Sequence, residues 1–262
     1  MRRYLRVLLK FINLSWMINL EYRTNFIIWG FIDVGWTVMD LIFFSALISQ
    51  TKTIGTWSYG EMLVLIGLSR IMVVPVWAWM YQSFSQIPRM VSRGDLDLIL
   101  TKPVDSQFLA STRYFSFSIL PSLVGGTIIA YTGFKVLNHF PSLANIIGTV
   151  GLLIITIALA YGMYFSSVAL TLYFNRLNNI HQIFTHLFDN AKYPPEIFPL
   201  LLQRVLTSIL PLCLMLIVPA SYLVSRLSMK DAVIFFLVTI FFLVISRLIW
   251  TNGLRRYSSA SS

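Results

Sequence analysis

Negative charge is scarce in this chain. Ten Asp and Glu stand among 262 residues, and charged residues of both signs make up only 11% of the total. Soluble domains carry about 25%, so an ordinary water-exposed fold is excluded. Cysteine is nearly absent as well. The single Cys213 lies in an apolar run, which rules out an intrachain disulfide framework and any Cys-based zinc site. No G-x-x-x-x-G-K-[ST] phosphate cradle is present, and the glycines are scattered. If ATP drives this protein, another polypeptide must hydrolyse it. Of the three histidines, His181 and His186 are five apart, which puts their rings on different helical faces. His139 is expected on the opposite side of the membrane. No resident cofactor, no metal and no enzymatic chemistry are expected.

What the chain does have is apolar length. Apolar residues make up 57% of it, with a mean hydropathy of +0.75. A membrane-spanning helix needs roughly 20 apolar residues, and six such spans are expected, over about 26–48, 61–81, 108–133, 145–173, 200–224 and 231–250. Trp29, Trp36, Trp57, Trp77, Trp79 and Trp250 mostly fall towards span ends, as interfacial aromatics do. Pro75, Pro121, Pro211 and Pro219 fall within spans and should kink or break them. Before the first span, residues 2–20 put Leu5, Leu8, Leu9, Ile12 and Trp16 on one helical face. Arg3, Arg6, Lys10 and Asn13 recur on another. The pattern predicts an interfacial amphipathic helix over 1–25 that meets anionic lipid; a targeting presequence is the weaker reading. The fold class is therefore an all-α integral membrane protein, with a six-span domain over 26–250 and a basic tail over 251–262.

Lys and Arg number twenty, for a net charge of +10. With both termini on one side, thirteen of them gather there and four on the other, so both termini are expected in the cytoplasm. Topology thus accounts for the charge without nucleic acid. The loops 82–107 and 174–199 become cytoplasmic, and the short connections 49–60, 134–144 and 225–230 external.

Two places carry candidate function. Ionisable groups inside a span are costly and often functional. Asp33 and Asp40 lie seven residues apart on nearly one face of the first span, and Arg70 lies near the middle of the second. Asp40 and Arg70 fall at similar depth and suit an interhelical pair. Asp33 is then left unpaired, free to face a pathway and attract a cation. The other place is the loop SFSQIPRMVSRGDLDLILTKPVDSQF. There Asp95 is expected to cap a short helix with Leu96, Ile99 and Leu100 on its apolar face, closed by Pro103. Such a helix suits a groove on a partner, and equally suits a loop folded back on its own helices.

Three stretches carry a resemblance: RGDLDLILTKPVDSQF, YPPEIFP and the terminal GLRRYSSASS. Together they resemble a bacterial permease family of ABC exporters of the type-2 class, over the length of the chain and in the expected order. The resemblance implies a non-catalytic permease of the bacterial inner membrane, working with an ABC ATPase dimer that holds ATP and Mg and with a second, related or identical, permease. Some members resemble exporters of cationic drugs such as viologens. It also implies that Arg93, Gly94, Asp95, Leu96, Asp97 and Ile99 form the coupling helix, with Arg93 and Asp95 touching the ATPase by charge and Leu96 and Ile99 filling its groove. By the same comparison Tyr193–Pro199 leads from the cytoplasm into the fifth span, and Gly253–Ser259 is a basic tail near headgroups or ATPase. The expected function is ATP-driven export of an amphipathic or cationic small molecule. A proton-coupled secondary transporter using Asp33 or Asp40, a lipid-acting enzyme, and a non-transporting scaffold or immunity protein are the competitors.

Overall fold

A computed structural model describes residues 2–50, 53–174, 179–189 and 192–257. It is 81% helical. In chain order the elements begin with α1 (Arg2–Glu21), α2 (Arg23–Gln50), the two-residue strands β1 (Thr53–Ile54) and β2 (Trp57–Ser58), and α3 (Tyr59–Val74). A π-helical turn, Pro75–Tyr81, continues α3 into α4 (Gln82–Phe84), α5 (Ile87–Arg93), α6 (Leu96–Leu100) and α7 (Ser106–Ser111). Then come α8 (Pro121–Leu137), α9 (Leu143–Ala169), α10 (Ile180–Asp189), α11 (Leu200–Arg204), α12 (Leu212–Leu223) and α13 (Met229–Arg256). The strands pair antiparallel around Gly55, whose φ of 60° lies in the left-handed region that glycine enters at no steric cost. This small hairpin is absent from the all-α expectation.

Side-chain contacts define two ends of the helical bundle. At the first, Arg247 of α13 pairs with Asp105, Trp250 donates to Ser106, and the Tyr173 hydroxyl donates to the Ile249 carbonyl. Tyr4 of α1 packs edge-on against Phe108 there, so the start of α1 and the end of α13 share this end. At the second, Arg226 reaches Glu61 and the Thr56 carbonyl across the β-hairpin, and Asn145 donates to Ser225.

The centre of the bundle is a close crossing of α3 and α8. A Cβ on Gly67 would sit 2.6 Å from the Ala130 nitrogen and the Gly126 oxygen, and one on Gly133 would sit 2.7 Å from the Gly60 oxygen. Backbone thus touches backbone along a seam of Gly60 and Gly67 against Gly126 and Gly133. Close packing of small residues is how helices associate where lipid removes the hydrophobic drive between them. Among the buried side chains on α9, Tyr164 stacks on Phe184 of α10 with ring centroids 4.4 Å apart, and Phe84 packs edge-on against Tyr164 and Phe165. Outward, α2, α9 and α13 present Phe31, Ile147, Phe236 and Phe241, all exposed, as lipid-facing surfaces do.

The expected six spans are matched only in part among the described residues. Four described helices are long and apolar enough to cross a membrane: Arg23–Ala46, Tyr59–Arg93, Leu143–Leu172 and Met229–Arg256. A fifth arises only if the pair Leu200–Thr207 and Leu212–Leu223, bent by 77°, counts as one span. The expected third span, 108–133, is divided. Residues 112–120 are mostly non-helical, held by Ser83, Ser15 and Asn19, whose side chains bond the backbone of Tyr114, Phe115 and Phe117. Helix resumes with Pro121 at its first position, where the missing N–H costs nothing. Pro75 likewise opens the π-helical turn and Pro211 precedes α12; only Pro219 lies inside an α-helix.

The described parts of 174–199, residues 179–189 and 192–199, do not stay at one end. Tyr173 lies at the first end, yet Tyr193 packs on Phe43 and Phe44, and Glu196 is 3.0 Å from where a Gly55 Cβ would be. The chain therefore passes from the first end to the second by way of α10, and Tyr193–Pro199 lies beside the hairpin instead of at the end that α1 and α13 share. The bent pair α11–α12 then starts and finishes near that same end, where Tyr222 covers Gly148. The expected fifth span, 200–224, dips into the bundle and returns. Lys192 accordingly leaves the set of thirteen basic residues. The expected tail is also shorter than 251–262: helix α13 runs to Arg256, and 258–262 lie outside the described residues, as does Arg176.

Candidate functional site

Helix α2 touches the rest of the bundle mainly along α8, and its free flank forms one wall of a cleft facing α3 and α10. Asp33 and Asp40 project from α2 two turns apart, and Arg70 of α3 lies between them. Its Nη2 is 2.5 Å from Asp40 Oδ2 and its Nη1 is 3.8 Å from Asp33 Oδ1. Arg70 is only 7% exposed at its side chain. Ser122, in the first turn of α8, donates its hydroxyl to the Asp33 carboxylate at 2.6 Å. Lys192 completes the cluster by donating from Nζ to Asp40 Oδ1 at 2.7 Å.

The Asp40–Arg70 pair is thus part of a larger assembly, and Asp33 is not the unpaired carboxylate it was expected to be. It shares Arg70 and takes the Ser122 bond. Asp33, Asp40 and Arg70 together carry one net negative charge, which Lys192 balances. Burying charges is costly, and it persists where the geometry and extra hydrogen bonds repay the desolvation. Arg70 Nε is buried without a hydrogen-bond partner among the described residues.

The cluster lies on a cleft of about 740 Å³. Six aromatic side chains line it: Phe26, Trp29, Trp36, Trp77, Tyr81 and Phe188. The π-helical turn contributes two of them, Trp77 and Tyr81, with ring centroids 4.7 Å apart. Single π-helical turns recur at functional sites because the widened turn re-aims its side chains. Trp29 and Trp36 are both more than half exposed, so the cleft opens along α2. No three His, Cys, Asp or Glu side chains converge on a metal position among the described residues.

The second candidate region is the turn between α5 and α6. Gly94 ends α5 with φ 79°, a left-handed C-terminal stop. Asp95 precedes α6 but makes no side-chain cap; the capping aspartate is Asp105, which accepts from the Phe108 amide at 3.0 Å and starts α7. Leu96 and Ile99, expected to fill a partner's groove, are instead buried in this chain's own core at 0% and 4% exposure. A five-residue helix has one apolar side, and the bundle takes it. Arg93, Asp95 and Leu98 face outward, with Leu98 66% exposed, while Gly94 and Asp97 are half-buried.

A run of hydrogen bonds leads from this region inward. Arg247 bonds Asp105 at 2.6 Å and Gln107 at 3.1 Å, Gln107 donates to Tyr161, Tyr161 bonds Ser111, and Trp79 donates to the Ser111 carbonyl. Burial alone would raise the Asp105 carboxyl. The Arg247 guanidinium and the Phe108 amide more than offset it and hold that carboxyl below the usual range.

Lys192, Ser122 and the four seam glycines are absent from the expected site. The glycines had a visible signal, an identical seven-residue spacing at 60/67 and 126/133. Lys192 had none, because nothing in its neighbourhood is apolar enough to indicate a traverse.

No curated protein and no solved structure matches the chain. A family model does: the one described as ABC-2 family transporter protein matches residues 34–261. The chain belongs to that family.

Proposed function

We propose, from membership of the ABC-2 family, that this membrane transport component is the permease half of an ATP-driven exporter for amphipathic, cationic small molecules. Its energy source is a separate ABC ATPase dimer that binds ATP and Mg, and a second permease, a related chain or a copy of this one, completes the pathway. The site of action is the bacterial inner membrane, with both termini cytoplasmic; the basic residues gathered at the end that α1 and α13 share support that orientation.

The observation that carries the reading is the cleft. Aromatic faces attract organic cations through the ring quadrupole, and three carboxylates line this cleft against two basic side chains. Its opening beside exposed Trp29 and Trp36 suits a molecule arriving from the lipid side. A proton-coupled carrier would need a carboxylate that protonates and deprotonates in turn, whereas Asp33 and Asp40 are each engaged by a basic side chain. The outward face of Arg93, Asp95 and Leu98 provides the ATPase-docking surface, while Leu96 and Ile99 anchor the turn from inside.

The test is reconstitution in liposomes with the candidate ATPase, with and without a second permease. Hydrolysis of ATP should rise with tetraphenylphosphonium or methyl viologen, and the cation should move across the bilayer only when ATP is supplied. An ATPase that does not copurify, or transport that follows a proton gradient without ATP, would refute the reading.

A further inference from the structure

Lys192 is held differently from the rest of the charged cluster. Arg70 engages two carboxylates and is 7% exposed at its side chain, whereas Lys192 makes one hydrogen bond to Asp40 and is 25% exposed. It also comes from the connection after α10 and not from a long helix. The two aspartates and Arg70 form a sealed unit with one net negative charge, their side chains 2%, 10% and 7% exposed. A buried unit of that kind requires a compensating cation at its open side. The open side is Asp40 Oδ1, and Asp40 and Lys192 both line the aromatic cleft.

We infer that the Lys192 ammonium is a built-in stand-in for the charge of the transported molecule: it holds Asp40 Oδ1 until an organic cation entering the cleft takes its place. The inference rests on the cationic-substrate reading and deepens it by naming the subsite. The incoming charge meets the Asp40 carboxylate, and Trp36, Trp77 and Tyr81 supply ring faces for its organic part. The displaced ammonium has a second station. Asp189 lines the same cleft as Lys192 and offers it a second carboxylate. Displacement also removes one of the ties that hold the connection to α2, leaving the Tyr193 contacts with Phe43 and Phe44 to carry the shift, so occupancy of the cleft is reported to the hairpin end. A neutral molecule of the same shape has no charge to offer Asp40 and leaves Lys192 in place.

The test is equilibrium binding of radiolabelled tetraphenylphosphonium to the full-length chain with its ATPase in lipid nanodiscs. Lys192→Met removes the competitor and should tighten binding about tenfold, while Lys192→Arg stays within about twofold of wild type, as expected for a charge-assisted hydrogen bond. Adding Asp40→Asn to Lys192→Met should cancel the gain, and binding of neutral triphenylphosphine oxide should not respond to Lys192→Met. Saturable wild-type binding that Lys192→Met leaves unchanged or weakens overturns the stand-in role and leaves the cationic reading intact. Absence of saturable cation binding in every variant refutes the cationic reading itself, and the stand-in with it. A measurement on wild type alone keeps the question open to refutation if Lys192→Met fails to assemble. Acetylation of Lys192, followed by mass spectrometry, should quicken when saturating tetraphenylphosphonium is present; an unchanged or slower rate overturns the proposal.

Discussion

Replacing Arg70 with Met removes the cation from between two buried carboxylates while keeping most of the side-chain volume. Breaking a buried ion pair by deleting one partner costs about 3–5 kcal/mol, since the other charge stays behind in low dielectric. Here the loss falls at the lower bound of that range, because Lys192 still neutralises Asp40 and Ser122 still donates to Asp33. About 3 kcal/mol corresponds to a fall in apparent melting temperature of about 6–12 °C for a chain of this size. The assay is thermal unfolding of the detergent-purified protein at a fixed scan rate, since membrane proteins of this kind unfold irreversibly. Asp33→Asn alone, which preserves the Asp40–Arg70 contact, should cost only about 1 kcal/mol, the ordinary worth of a hydrogen bond. Combining Arg70→Met with Asp33→Asn should recover most of the loss, because Asp40 and Lys192 then remain as a neutral pair. An Arg70→Met protein melting within about 2 °C of wild type, or a double variant no better than the single one, would refute the reasoning.

The turn between α5 and α6 offers a paired test of the proposed docking face. Leu96→Asp buries a charge in the core and should cost more than about 4 kcal/mol, abolishing folded protein on gel filtration. Leu98→Asp should leave stability within about 0.5 kcal/mol and instead prevent copurification of the ATPase. At the helix crossing, Gly67→Ala places a methyl group 2.6 Å from the α8 backbone, and the forced separation should cost about 1–3 kcal/mol by thermal unfolding. The Asp105–Arg247 clamp should respond to pH. Its carboxyl lies below the unfolded value, so its contribution is complete above about pH 4 and disappears as pH falls through the depressed value. With Asp105 29% and Arg247 50% exposed, the clamp is worth no more than about 1 kcal/mol. Arg247→Gln should flatten that part of the stability-against-pH curve, and a curve identical to wild type would count against the clamp.

The helices legible in the sequence were those with an uninterrupted apolar run. Residues 145–173 contain no charge and form α9 and its short extension nearly as expected. What escaped was every segment that crosses or enters the bundle without such a run. The stretch 174–199 contains Arg176, His181, His186, Asp189 and Lys192, so hydropathy marks it as a loop, yet Asp189 and Lys192 line a cleft. Conversely, 200–224 is apolar enough to be a span, but Pro211 and the non-helical backbone before it turn the chain back. The pairing of Asp40 with Arg70 followed from depth along two helices. The arrival of Lys192 depended on a path that depth along those helices does not encode. For the turn between α5 and α6, periodicity identified the apolar residues but not their recipient, since a groove on another protein and the chain's own core reward the same pattern.

The glycine seam has a mechanical consequence. Helices whose backbones touch, as α3 and α8 do, leave little room at the contact for side chains to rearrange, so the pair behaves as a strut of nearly fixed width. By contrast, α2 meets that strut mainly along α8, where Thr37 covers Gly125 and Ser122 bonds Asp33, and it reaches α3 through Arg70 and its two aspartates. The α10 connection holds to α2 through Lys192 on Asp40 and through Tyr193 on Phe43 and Phe44. A change in the width of the cleft would fall on those polar contacts, which can break and re-form, sooner than on the strut. The rigid member also carries the π-helical turn, which joins it through Trp79 and Ser111 to the end that α1 and α13 share. Force applied at that end would arrive through the strut, and the hinge would open where the charges are.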